Sequence, residues 1–181
     1  MGVKLNVPTQ GARVPKPRAS RGTSNQQISP ETKRRGEIGE AAFLAKASSM
    51  GFGVAKPWGD SDRYDLIVDV NGRLLRVQVK SAHRECAQPG GGFHIRTGPH
   101  KRIPYREDEI DLLVAYVVPE NVWYIFPPSA FTTMKSVRLF PRHKQKASKF
   151  EQYREAWHCF QEVKKGSAFG PALKTSTPWS S

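Results

Sequence analysis

The sequence predicts a mixed α/β fold, with an N-terminal and a C-terminal helix packed on a central β-sheet. Three stretches carry that expectation. GEIGEAAFLAKASSM (36–50) places apolar residues at helical spacing. RYDLIVDVNGRLLRVQVKSA (63–82) is two alternating β-branched runs flanking Asn71-Gly72. FEQYREAWHCF (150–160) sets Phe150, Tyr153, Trp157 and Phe160 at i, i+3, i+7 and i+10.

Taken in order, residues 1 to 33 are rich in Pro, Ser, Thr, Gln and basic residues without periodicity, the composition of a disordered basic arm. In the first helix Phe43, Leu44, Ala47 and Met50 form one stripe, and Gly51 ends it. FGVAK is a short strand, followed by a hairpin with strands at 64–70 and 73–82. AQPGGG is a loop and FHIRT a short strand. DLLVAYVV is a buried strand, and NVWYIFP its antiparallel neighbour across Pro119-Glu120. Ser148 is placed to cap a helix running to about Glu162, whose aromatic stripe reads as core packing. GSAFGPALKTSTPWSS is again tail-like. The expected organisation is an arm at 1–33, one folded domain at 34–165 and a flexible tail at 166–181.

The 181 residues carry a net charge of +13. Eight Lys/Arg against Glu31 in residues 1–35 still leave the remainder at +6, so the folded part is basic too. Such a surface favours a polyanion, nucleic acid before an anionic membrane. The longest apolar run, IDLLVAYVV, is too short to span a bilayer, and the N-terminus lacks the continuous apolar stretch of a signal peptide, so a cytoplasmic protein is expected. Cys86 and Cys159 show neither disulfide-framework nor zinc-ligand spacing. Of the five histidines, His83, His94, His100, His143 and His158, none shows HxxxH or triad logic, and none is assigned a catalytic role.

The hairpin contains the candidate chemistry. A two-residue turn at Asn71-Gly72 makes opposed residues sum to 143, so Asp65 faces Gln78. Residues two apart on a strand share a face, which adds Lys80. A solvated polar face with an ordinary cross-strand pair is the plain alternative. Glu40 is out of place at the N-terminal end of the apolar stripe, since burying an unpaired carboxylate is costly. It is either a snorkelling residue favoured by the helix dipole or a fourth member of the site, with Glu37 second choice.

Residues 36–82 resemble the core of the PD-(D/E)XK nuclease superfamily, whose pattern is a helix with a Glu, a strand, a strand opening with Asp, and a strand carrying (D/E)xK. The likeness is greatest to the group I intron-associated homing endonucleases, and the spacing is similar to that of archaeal Holliday junction resolvases. Glu40 matches the helix acid, Asp65 the Asp of the PD half, and Gln78-Val79-Lys80 the (D/E)xK. Tyr64 replaces the usual Pro and Gln78 the usual acid, although the intron-associated branch also carries Gln there. The resemblance implies a restriction endonuclease-like core with a central mixed β-sheet and catalytic Glu40, Asp65, Gln78 and Lys80. It also implies Mg²⁺, with Mn²⁺ able to substitute, on Asp65, the Gln78 amide oxygen, the Val79 carbonyl and Glu40.

In that reading Lys80 orients or deprotonates the attacking water, or stabilises charge on the phosphate. Double-stranded DNA is the implied partner, met as a homo-oligomer (dimer or tetramer) and with no membrane. His100, Lys101, Arg102, Arg106, Arg142, Lys144 and Lys146 stand in basic clusters suited to the DNA backbone, or to a solvated face. A non-catalytic nucleic-acid-binding module with a nuclease fold, and a Holliday junction resolvase, are the alternative functions.

Overall fold

The computed structural model describes residues 29–59, 61–98, 103–142 and 148–162. The arm as far as residue 28 and the tail over 166–181 lie outside the described residues, as do His100, Lys101, Arg102, Lys144 and Lys146. Among the described residues no helix is long and apolar enough to cross a membrane.

The first helix, α1 (Pro30–Ser49), begins inside the segment expected as a disordered arm. Ser29 caps it through the Thr32 amide, Pro30 occupies its first turn, and Arg35 reaches back to Glu31 at 2.9 Å. These are local start signals that the Pro- and Ser-rich composition around them masked. Its buried stripe is Gly39, Phe43 and Ala47, whereas Leu44 and Met50 are exposed. The inward face is thus rotated from the expected one, and Glu40 stands at its margin.

Strands β1 (Gly53–Ala55), β2 (Leu66–Val70), β3 (Arg73–Ala82), β5 (Leu112–Val117) and β6 (Val122–Phe126) form one sheet in the order β1-β2-β3-β5-β6. β3 and β5 run parallel and every other neighbouring pair is antiparallel, so the sheet is mixed. Asn71 and Gly72 adopt φ of 53° and 80°, and the ladder runs from Val70↔Arg73 to Leu66↔Val77, the register that a two-residue turn dictates. Asp111 fixes β5 beside β3. Its carboxylate grips the Arg76 guanidinium at 2.9 and 3.0 Å and the Arg76 amide at 2.7 Å, while its own amide donates to the Arg76 carbonyl.

β4 (Phe93–Arg96) and β7 (Ser136–Leu139) pair into a separate antiparallel ribbon, and a short helix, α2 (Pro128–Phe131), precedes β7. The ribbon's inward residues, Phe93, Ile95, Val137 and Leu139, join Tyr105, Leu113, Ala115, Tyr124 and Phe126 in a core on one side of the sheet. α1 covers the other side, where Phe43 and Ala47 meet Leu66, Val68, Val77, Val79, Val114 and Ile125. Cys86 and Cys159 are free, as their spacing predicts.

The expected helix over 148–162 does not form. The segment has a 3₁₀ turn at Glu151–Tyr153, an extended Arg154, Glu155 at φ 48°, and only a short helix, α3 (Cys159–Glu162). The edge of β6 competes with the helix and wins. The Glu155 amide donates to the Trp123 carbonyl, its carboxylate accepts from the Trp123 amide, and both bonds are 2.8 Å. The aromatic stripe divides in consequence: Phe150 and Tyr153 pack on the ribbon side, Trp157 and Phe160 on the α1 side. The stripe is core packing, as expected, but belongs to two cores.

Gly39 sets the distance between α1 and β3. A Cβ there would lie 2.8 Å from the Ser81 Cβ and 2.9 Å from its Oγ. The Ser81 hydroxyl and the His83 ring nitrogen both meet the Arg35 carbonyl, at 3.1 and 3.2 Å, and lock the same contact. Gly39→Ala is therefore expected to destabilise the fold by about 1–3 kcal/mol through overpacking, despite alanine's better helix propensity. A chemical denaturation midpoint equal to the wild type's would contradict this.

Candidate active site

The site forms where the hairpin strands part. Leu66↔Val77 is the last pair of the ladder, and Asp65 stands one residue beyond it. Strict pairing would leave Asp65 and Gln78 a non-hydrogen-bonded pair, yet the Asp65 amide donates to the Val77 carbonyl at 2.9 Å, so the backbone register slips here. The side chains nevertheless meet. Asp65 Oδ2 accepts the Val79 amide at 2.8 Å and the Gln78 Nε2. The carboxylate thereby takes the place of the missing backbone partner.

Gln78 and Lys80 occupy the face of β3 turned away from α1, as period-two alternation requires. Gln78 is one of two buried polar side chains among the described residues, and its Nε2 also contacts the Val79 carbonyl at 3.3 Å. The Lys80 ammonium lies 5.7 Å above the Tyr105 ring. Glu40 approaches from α1, and its carboxylate accepts a 2.8 Å ion pair from Lys56, which follows β1.

Burial is the main cause of the perturbed titration in this cluster. It pushes the Asp65 carboxyl up to about 6, helped by the negative field of Glu40 and opposed by Lys80, the Val79 amide and Lys56. It pushes the Lys80 ammonium below the ordinary lysine range, against the attraction of Asp65 and Glu40 and aided by the nearby charge of Arg96. Lys56 is raised, chiefly by its hydrogen bond to Glu40. An acid held upward and a lysine held downward, side by side, suit proton transfer near neutral pH.

The Asp65 shift has a stability consequence. Its folded pKa lies above its unfolded value of 3.8, so the folded protein binds more protons and loses stability as pH rises through about 4 to 6. The loss amounts to about 3 kcal/mol at neutral pH by linkage. Asp65→Asn keeps an oxygen for the Val79 and Gln78 donors but does not titrate. In EDTA its Tm should exceed the wild type's at pH 7, by a margin that shrinks toward pH 4; parallel Tm–pH curves would refute the assignment.

The donor set can be tested against a divalent cation. Among the described residues no three His, Cys, Asp or Glu side chains converge as a ready metal cage. What meets is the Asp65 carboxylate, the Gln78 amide and the Val79 carbonyl, with the Glu40 carboxylate near enough for its charge to act on Asp65, a set whose available metal donors are oxygens. That composition suits a hard cation such as Mg²⁺, which keeps several waters and takes one or two carboxylates. The charge on Asp65 is also short of compensation. The group fits, with one rearrangement: Gln78 turns its Nε2, not its oxygen, toward Asp65, so the amide must rotate to become a ligand.

Two members of this cluster escaped the sequence reading. Lys56 had a usable signal, because β1 pairs with β2 through Ala55↔Ile67 and the next residue must fall near Asp65. Tyr105 had none, since the Tyr105 amide reaches β4 only through the Thr97 carbonyl, in a segment without periodicity. Of the described cations expected on DNA, Arg142 is held by Glu120 at 2.5 Å and Glu85 at 3.3 Å, and Arg106 by Asp108 at 2.5 Å.

Comparison with known proteins agrees with this architecture. The chain is 31% identical to Protein 5.3 of Escherichia phage T7 over 87 residues, 48% of this chain and 73% of that protein. The fold is similar to the solved structure of the bacterial homing endonuclease I-Ssp6803I, with a TM-score of 0.63 and 36% identity, covering 71% of this chain and 92% of that one. Residues 30–160 match the family model described as PD-(D/E)XK endonuclease. With its mixed sheet, its Asp-bearing β2 entrance and its Gln-Val-Lys on β3, the chain belongs to the PD-(D/E)XK endonuclease family.

Proposed function

We propose that the protein is a divalent-metal-dependent DNA endonuclease of homing type that hydrolyses phosphodiester bonds, with Asp65, Gln78, Lys80 and Glu40 as its catalytic residues. The observation that carries this reading is the meeting of Asp65, Gln78 and Lys80 at one point, where half-buried Asp65 and Lys80 are shifted toward each other in pKa. Asp65, the Val79 carbonyl, the rotated Gln78 amide and Glu40 would hold Mg²⁺, with Mn²⁺ able to replace it. When bound, the ion supplies positive charge to the phosphate oxygens and the attacking water. Lys80, with its depressed pKa, accepts the water's proton or donates a hydrogen bond to a non-bridging oxygen. Tyr105 keeps the ammonium in place from below. Lys56 orients Glu40.

Likeness to a homing endonuclease supports double-stranded DNA as substrate, and a cytoplasmic, group I intron-associated enzyme that assembles as a dimer or tetramer belongs to the same reading. A non-catalytic binding module is the second reading. It is favoured by the same Gln78 Nε2, which gives Asp65 a neutral partner where an acid would have required a cation. Nicking of supercoiled plasmid in Mg²⁺ but not in EDTA supports the enzyme, and binding without nicking in both supports the module. Preferential cleavage of four-way junctions over linear duplex would make it a resolvase.

A further inference from the structure

The arginines of the described surface are mostly engaged by carboxylates. Arg106 pairs with Asp108, Arg142 with Glu120 and Glu85, and Arg154 with Glu151. The ribbon differs. Its residues alternate strictly, Phe93, Ile95, Val137 and Leu139 inward, His94, Arg96, Ser136 and Arg138 outward, and the outward face contains no acid. Arg96 has no acidic partner among the described residues, and Arg138 spends one nitrogen on the neutral Gln88 oxygen at 2.9 Å. His94 stands directly across from Arg138. Its pKa is lowered, first by partial burial and then by the charges of Arg96 and Arg138.

The ribbon is also tied to the active site. Thr97, next to Arg96, accepts the Tyr105 amide at 3.1 Å, and the Tyr105 ring lies beneath the Lys80 ammonium. The buried Thr97 hydroxyl donates to the Met134 carbonyl, and its amide to the Lys135 carbonyl, which binds the end of β4 to the entrance of β7. Arg96 is close enough for its charge to act on Lys80. A rigid two-stranded element thus carries free positive charge up to the catalytic lysine.

We propose that the outward face of the β4–β7 ribbon is a duplex-DNA docking surface, with Arg96 and Arg138 contacting backbone phosphates beside the one that is cleaved. This rests on the endonuclease reading. Charge complementarity selects the partner: phosphates repeat along a duplex, and a two-stranded ribbon has the size and shape to follow one. The apolar underside fixes the ribbon to the core, so the cations are offered from a rigid support at little ordering cost.

The test is binding of a fluorescein-labelled duplex, in EDTA so that no cleavage intervenes, measured over a series of KCl concentrations. The Arg96→Gln/Arg138→Gln double variant is expected to bind more weakly and to lower the slope of log K against log[KCl] by about 2, given roughly 0.9 per phosphate contact. Arg96→Gln alone should lower it by about 1, and serves if the double variant does not fold. Lys46→Ala, on α1 across the sheet, removes one charge from a face not assigned to DNA and should leave the slope unchanged. Wild-type slope and affinity in both ribbon variants, with plasmid nicking by the wild type intact, would overturn the docking surface alone. If the wild type neither binds duplex nor nicks plasmid, the endonuclease reading falls and the docking surface with it.

Discussion

Lys80→Ala and Asp65→Ala are each expected to lower Mg²⁺-dependent plasmid nicking by about 10²–10⁴-fold while leaving duplex affinity within a few fold of the wild type. In the proposed mechanism both side chains meet charge that develops during the reaction, so their loss should fall on turnover and not on ground-state binding. Lys80 and Asp65 are partly desolvated and attract each other, so removing either leaves the other short of a partner. Lys80→Ala then drives the Asp65 carboxyl still higher, and raising the pH should restore part of the lost metal affinity, though none of the lysine's chemistry. Lys80→Ala nicking at the wild-type rate in saturating Mg²⁺ would sink the assigned site.

Gln78→Glu is the second large effect, and it has opposite signs with and without metal. Gln78 Nε2 donates to Asp65 in a buried position. A glutamate there sets one carboxylate against another already raised to about 6, and the two must share a proton or repel. In EDTA at pH 7 the variant should be destabilised by several kcal/mol, and the loss should diminish as pH falls and a proton is taken up. Mg²⁺ should reverse the loss, because the variant would offer the cation a further carboxylate beside Asp65 and so bind it more tightly. Thermal melts in EDTA and in Mg²⁺ read both effects. A variant whose Tm responds to Mg²⁺ no more than the wild type's would show that no cation sits between residues 65 and 78.

Where the chain's local chemistry dictated the outcome, the sequence could be read directly. Asn71-Gly72 fixes a turn with two positive φ values, and from that alone the pairing of the whole hairpin follows, so Asp65, Gln78 and Lys80 could be gathered before any coordinates. A one-residue shift by a bulge is compatible with the sequence, but its place at Asp65 is not fixed by the turn, because it depends on a side chain replacing a backbone partner where the strands separate. Glu40 is legible as an anomaly, but its partner Lys56, 16 residues away, follows only once the pairing of β1 with β2 is also worked out. The C-terminal segment misled for a clear reason. Helical spacing of aromatics records only which residues are apolar, and a chain that crosses a sheet edge can satisfy the same spacing with two cores. The ribbon was half legible: FHIRT reads as a strand, while SVRL is too short to announce itself and gains its pairing only from β4.

The crossing of the β6 edge bears on how the protein is made. Phe150 and Tyr153 close one core, Trp157 and Phe160 the other, and Glu155 between them satisfies the backbone of Trp123. All five lie C-terminal to every described strand, so they leave the ribosome after the sheet does. Until then a nascent chain carries a sheet with both faces incompletely sealed and its β6 edge open, a species prone to pair with its neighbours. A ribosome stalled short of residue 150 would hold such an open intermediate, and synthesis of residues 150–160 is the step that closes both cores.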